Sequence, residues 1–188
     1  MNFFSVYLIL KRLLDLALSL FGFFLLSPLA LLISIAIWLE DGRPIFFIQQ
    51  RIGREGKPFY LLKFRTLGYR KSNSLLAKML RKTALDELPQ LINIFKGEMS
   101  FVGPRPFIPE EVLNDKYFFQ RFKVKPGLTG VAQIFAFRDA PSKKKLKLDL
   151  WYIKNMNIVL DLMLILKSVF LSLATRWDAK GLNERVGK

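Results

Sequence analysis

The chain has 188 residues, 52% of them hydrophobic, with thirty Lys plus Arg against fifteen Asp plus Glu and a net charge of +15, which is the size of one domain with at most an appended segment. With no Cys and no His there is no disulfide framework, no thiolate nucleophile, no imidazole base and no nitrogen or sulfur ligand for zinc, so any catalysis must use carboxylates, Lys, Arg, hydroxyls or a hard cation held by oxygen. The cationic excess calls for anionic partners (nucleic acid, lipid head groups or phosphorylated substrates), and the apolar content points to membrane contact.

The first element is apolar. From Leu16 to Leu39, "LALSLFGFFLLSPLALLISIAIWL", 24 residues run without a charge. Roughly 20 apolar residues span a bilayer as a helix. A signal peptide has a shorter apolar core and a small-residue cleavage site, and fits poorly. Two features favour a helix that dips in and turns back over one that spans; a buried core helix is the third choice. Ser27-Pro28 sits in the middle, where Pro removes a donor and kinks a helix while Ser27 eases the kink by bonding to the preceding turn. Of the 30 basic residues, 28 follow Lys11 and Arg12, so a spanning segment with that pair inside would leave nearly all the positive charge outside. Asp15 is positioned to pair with Lys11 or Arg12, or to be a solvated end charge.

Next, "PIFFIQQ" and "PFYLLKF" flank "RIGREGK" with Gly53 and Gly56, which predicts a β-hairpin. "SLLAKMLRKTALDELPQLINIF" has helical spacing. Leu75, Leu76, Met79 and Leu80 share one face, and Leu88, Leu91, Ile92 and Phe95 continue the stripe after a break near Thr83 to Pro89. Thr83 and Asp86 have capping spacing and Pro89 suits a first turn, so Asp86 and Glu87 are expected near a helix start. "SFVGPRP" and "VKPGLTG" read as Gly/Pro loops. "SKKKLKLDLWYIKN" is basic with aromatics. Residues 156–177 are nearly all apolar, and form either a core helix or one lying in the membrane interface. The last residues, 178–188, read as a polar tail. The fold class expected is mainly α with a small β-hairpin: a re-entrant membrane segment over 1–40, a cytosolic or interfacial domain over 41–177, then the tail.

"KFRT", "LDELPQLINIFKGEMSFVGPRP", "KPGLTGVAQ" and "LDLWYIKN" together resemble the bacterial sugar transferases, the monotopic polyprenyl-phosphate phosphoglycosyl transferases. The likeness begins at "KRLLDLALSLFGFFLLSPLALLI" and runs to about Arg176, nearly the whole chain, and looks like the minimal catalytic form of that family. The resemblance implies transfer of a sugar-1-phosphate from a UDP-sugar to polyprenyl (undecaprenyl) phosphate with release of UMP, the first membrane step of glycoconjugate or polysaccharide assembly. It also implies a re-entrant membrane helix broken at Ser27-Pro28, interfacial amphipathic helices, a catalytic role for the domain over 41–177, Mg²⁺ as cofactor, and a place on the cytoplasmic face of the bacterial inner membrane among anionic lipids.

Residue by residue, Asp86 matches the family's nucleophile, which would form an acyl-phosphate intermediate. A carboxylate near a helix start and among cations is expected to stay ionised. Glu87 matches the adjacent acid, as metal ligand or substrate orienter. Neighbours on an α-helix point about 100° apart, so the two act as one claw only if the helix start is irregular. Asp149 of "LDLWY" matches an acid that joins Asp86 and Glu87 at the metal, or else is a helix-surface charge. Arg105, between two prolines, offers a planar fork to phosphate. Arg81, Lys63, Arg65, Arg51 and Arg138 are further phosphate candidates, against solvated or lipid-facing roles.

The chain departs from the family at Lys125 (usually Arg), at Val131 (usually Trp), in "IFAFRD", and after "KFR", where a Met and acidic residues are missing. These departures bear on sugar choice. A basic scaffold on an anionic membrane leaves the prolines around Arg105 and the acid pair unexplained. A nucleic-acid binder is opposed by the apolar segment and by basic residues that show no recognised motif.

Overall fold

The computed structural model describes residues 3–67, 74–111, 116–136 and 140–174; Arg138 and the tail 178–188 lie outside the described residues. Seven α-helices are described: α1 Phe3–Asp41, α2 Leu75–Thr83, α3 Gln90–Lys96, α4 Lys116–Phe119, α5 Val131–Phe135, α6 Ser142–Asn155 and α7 Ile158–Leu173. Four short strands accompany them: β1 Phe46–Ile52, β2 Pro58–Phe64, β3 Ser100–Val102 and β4 Gly127–Thr129. The predicted hairpin is present, with β1 antiparallel to β2 from Phe46 opposite Phe64 to Ile52 opposite Pro58.

α1 has 39 residues, so it is about 58 Å long. At Ser27-Pro28, where the break is expected, α1 continues as one described element with Pro28 inside it. Pro28 has no N–H for the carbonyl of Phe24, but Ser27 Oγ donates to that same oxygen at 3.2 Å. The orphaned acceptor is satisfied locally, so the segment does not divide into two helices.

One face of α1 lies along the rest of the protein over almost its full length. Tyr7, Asp15, Ser19, Ile33 and Ile37 are buried, and Gly22 lies close under Leu91. The opposite face carries Leu20, Phe21, Phe24, Leu31, Leu32 and Leu39 in the open; Phe24 is 85% exposed. So large an unpartnered apolar surface is the mark of a lipid-facing or partner-facing helix.

The charges at the start of α1 pair differently from the expectation. Asp15 does not bond Lys11 or Arg12. It accepts from Ser100 Oγ and the Phe101 N–H of β3, both at 3.0 Å. Lys11 reaches Asp161 of α7 at 2.6 Å, and Arg12 donates to the carbonyls of Ile94 and Phe95 at the end of α3. The reason is burial: an acid enclosed between α1 and β3 needs fixed donors, and a main-chain N–H supplies one without side-chain entropy.

Three apolar clusters fill the interior. Phe59 and Leu61 of β2 meet Leu91, Ile94 and Met99; Phe64 and Leu80 meet Ile33 and Ile37 of α1; Val102, Val131, Tyr152 and Leu164 join β3 to α5, α6 and α7. Leu80, Ile94 and Met99 are fully enclosed, each worth about 1.5–3 kcal/mol of burial. α7 resolves the sequence ambiguity by facing both ways. Asp161 and Leu164 point inward, while Leu162, Met163, Leu166, Val169 and Phe170 stay exposed.

The two stretches read as loops contain a parallel pair of strands, β3 and β4, joined at Ser100–Gly127 and Val102–Thr129. Only glycine lets them approach. A Cβ on Gly127 would fall 2.0 Å from the Gly103 nitrogen, and one on Gly103 would fall 2.4 Å from the Lys125 carbonyl oxygen. The pairing has long-range partners, which local turn chemistry does not report. Gly127→Ala is therefore expected to destabilise the protein by about 3 kcal/mol, the upper end of the usual overpacking cost. A thermal melt of that variant within a degree or two of wild type would refute the close approach.

Candidate active site

Between α2 and α3 the chain makes one 3-10 turn, Leu85–Glu87. α2 ends on Ala84 in the left-handed region (φ 57°), which redirects the backbone. Thr83 does not cap this turn; its hydroxyl donates back to the carbonyls of Met79 and Leu80. Leu85 and Leu88 pack into the Phe64–Leu80 cluster. At three residues per turn these leucines share one side, which leaves Asp86 and Glu87 on the others. The acid pair is thus set by an irregular turn ahead of α3, not by the first turn of a regular helix.

Glu87 forms an ion pair with Lys63 of β2, and both side chains are largely enclosed. Asp86 is half-buried, and burial, then the charge of Glu87, pushes its carboxyl up to about 6, against the pull of Lys63, its own backbone N–H and Arg81. Near neutral pH it is mostly ionised, but it is less strongly held in that state than expected, because desolvation outweighs the nearby cations.

Beside this pair opens a shallow cleft lined by Arg51, Lys63, Glu87, Gln90, Arg105 and Gln133 among others. Asp86 does not line it; it stands one residue behind Glu87. Arg105 is exposed at the cleft, and its guanidinium has no protein partner among the described residues. Arg51 donates to the Pro106 carbonyl at 3.1 Å and to Gln49 Oε1, so part of its fork is spent on holding the Arg105 loop. Arg81 donates to the Thr66 carbonyl at 2.7 Å, within electrostatic reach of Asp86.

Two candidates take other roles. Arg65 is 7% exposed and pairs with Asp41 at 3.0 Å, donating also to the carbonyls of Asp41 and Gly42. It ties β2 to the end of α1, because a guanidinium enclosed at that junction is satisfied by the last carbonyls of the helix. Asp149 is neither with Asp86 and Glu87 nor on the surface. It is 1% exposed and ion-paired with Arg121, and burial holds its carboxyl up at about 6 against that Arg. No group of three acidic residues suited to a metal forms among the described residues. Ser27 and Pro28 lie in the middle of α1, and Arg138 lies outside the described residues.

Sequence reasoning misses Arg121, Gln90 and Gln133. The two glutamines stand inside the motifs "LDELPQL" and "KPGLTGVAQ", where their polar side chains are a visible signal. Nothing in "FFQRFK" distinguishes Arg121 from a solvated charge.

The profile of the family described as "Bacterial sugar transferase" matches residues 6–175. The chain belongs to the bacterial sugar transferase family. As a sugar transferase it is 39% identical, over 86% of each chain, to a protein named "Uncharacterized sugar transferase EpsL" from Bacillus subtilis (strain 168). It is 35% identical to a UDP-glucose:undecaprenyl-phosphate glucose-1-phosphate transferase of Klebsiella pneumoniae, covering 88% of this chain but 40% of that relative. It is 30% identical to a UDP-N-acetylgalactosamine-undecaprenyl-phosphate N-acetylgalactosaminephosphotransferase of Aeromonas hydrophila, covering 44% of that relative.

The electrostatics of this transferase's acid pair make a prediction. In metal-free detergent solution, a carbon-detected titration should give the Asp86 carboxyl a midpoint near 6. Glu87→Gln removes the repulsion and releases Lys63, so the midpoint should fall by about one pH unit. A midpoint unmoved or raised by that substitution would contradict this account.

Proposed function

We propose that this sugar transferase moves a sugar-1-phosphate from a UDP-sugar to polyprenyl phosphate, undecaprenyl phosphate in bacteria, and releases UMP. This is the first membrane step in assembling a polysaccharide or glycoconjugate. The observation that carries the reading is the meeting, beside one cleft, of an acid pair with an Arg105 that has no partner among the described residues, in a chain whose relatives are named for that transfer.

Asp86 is the nucleophile. Its carboxylate oxygen attacks the β-phosphorus of the donor; the bond from that phosphorus to the bridging oxygen breaks, and UMP leaves with the oxygen. A phosphate oxygen of the polyprenyl acceptor then attacks the same phosphorus, the aspartyl–phosphorus bond breaks, and Asp86 returns as a carboxylate. Two displacements let a water-soluble donor and a lipid acceptor arrive in turn. Arg105 and Lys63, with Arg81 and Arg51 behind them, offset the charge on the non-bridging oxygens.

Asp86 and Glu87 are oxygen donors of the kind Mg²⁺ takes through one or two carboxylates plus substrate phosphates, and they would hold it without Asp149. When bound, that ion neutralises diphosphate charge. The ion pair with Lys63 fixes the Glu87 side chain at the cleft. Asp86→Asn keeps the shape of the side chain and removes its nucleophilic charge. In a panel of UDP-sugars with Mg²⁺ and polyprenyl phosphate, wild type should release UMP from at least one donor. The Asp86→Asn rate should be lower by at least ~10³-fold; equal rates would sink the nucleophile.

The same reading places α1 in the membrane with both ends on the cytoplasmic side of the inner membrane. Its contacts support this. Lys11 and Asp15 near one end, and Ile33, Ile37 and Asp41 near the other, all touch one body of protein. A straight crossing would separate those contacts by a bilayer. With 28 of 30 basic residues beyond Arg12, the domain side also suits anionic lipid. The chain has no Cys, so single cysteines at Asn2 and Tyr60 can be labelled without background. A membrane-impermeant maleimide should reach both from the same face; labelling from opposite faces would mean a spanning helix.

A further inference from the structure

The chain segment that carries Arg105 has two prolines and is held through its carbonyls. Four in a row each accept one bond. Gly127 N–H donates to Pro104 at 2.9 Å, Arg121 Nη2 to Arg105 at 3.3 Å, Arg51 Nη1 to Pro106 at 3.1 Å, and Ile52 N–H to Phe107 at 2.9 Å. Two of these anchors are main-chain groups on β4 and β1. The one on Arg105 itself is a side chain.

That side chain is enclosed. Arg121 is 4% exposed, lies 4.0 Å from the ring centre of Phe107 and 5.3 Å from that of Phe118, and is ion-paired with Asp149 of α6. Two charges out of water cost more than an apolar pair of the same volume, so such a pair is poor evidence for stability. Without Asp149 the guanidinium would be a buried charge with no counter-ion, and its aim at the Arg105 carbonyl would lapse.

We propose that the Arg121–Asp149 pair is a positioning device for Arg105. Asp149 fixes Arg121, Arg121 fixes the main chain at Arg105, and the Arg105 guanidinium is thereby presented to the donor's diphosphate. Asp149 is then a positioning residue and not a metal ligand. The consequence for the donor rests on the proposed transfer; the positioning itself does not.

The test has two arms, both on the full chain. With no native Cys, a nitroxide at Arg105→Cys reports the motion of that segment alone. Asp149→Asn and, separately, Arg121→Lys should each make the label more mobile, while a control change at exposed Lys57 should not. An unmoved label in both variants overturns the positioning. In the kinetic arm, Asp149→Asn should raise KM for the UDP-sugar by roughly tenfold, with a smaller change in kcat. In an Arg105→Ala background it should add nothing, because coupled residues are non-additive. Arg121→Lys serves in the same cycle if Asp149→Asn fails to fold. Additive effects overturn the action through Arg105, and so does a weakened Mg²⁺ requirement that persists in the Arg105→Ala background. No UMP from wild type with any donor sinks the transfer reading, while the label still decides the pair.

Discussion

The close contact of Gly103 with Gly127 is the constraint on which the site depends. It brings two proline-bearing segments from distant parts of the chain to main-chain distance, and side chains on either partner would keep them apart. Through β3 it reaches α1, because Asp15 bonds Ser100 and Phe101. Through β4 it leads into α5 and Gln133 at the cleft. The apolar helix α1, the Arg105 segment and the cleft wall are thus successive contacts of one short parallel pair.

The charge excess divides once side chains are placed. Lys11, Arg65 and Arg121 each meet a buried or nearly buried acid, and Arg12 meets the end of α3. These cations belong to the framework. Asp15, Asp149 and Asp161 are the acids buried to 3% exposure or less, and each is matched by fixed donors or a cation. Glu87 and Asp86 differ. One is oriented by a single Lys, and the other is held up near 6 by burial without a bonded cation. In a chain with twice as many basic as acidic residues, Asp86 stands half-buried beside Glu87 with no ion pair among the described residues.

α1 serves two environments at once. Its inner stripe is polar and small where it meets β3 and α3 (Asp15, Ser19, Gly22) and aliphatic where it meets β2 and α2 (Ile33, Ile37). Its outer face is apolar apart from Ser5 and Ser27. Lipid rewards the second surface and protein packing the first, so one helix can rest at the boundary without dividing. The Ser27 hydroxyl permits this continuity at Pro28 by taking the one carbonyl that proline leaves open.

Periodicity and composition determined the apolar helix, the hairpin, the break in the middle of the α2–α3 stripe, and the acid pair with its cations, because each is a local pattern of side chains. The motif run from Leu85 to Pro106 determined the family. Tertiary structure alone decided that β3 and β4 pair, that Arg65 and Asp149 are enclosed by Asp41 and Arg121, and that Asp15 bonds a strand and not its neighbours on the helix. Those outcomes depend on which groups lose water together. Desolvation is a property of the assembled surfaces, and no spacing along the chain records it.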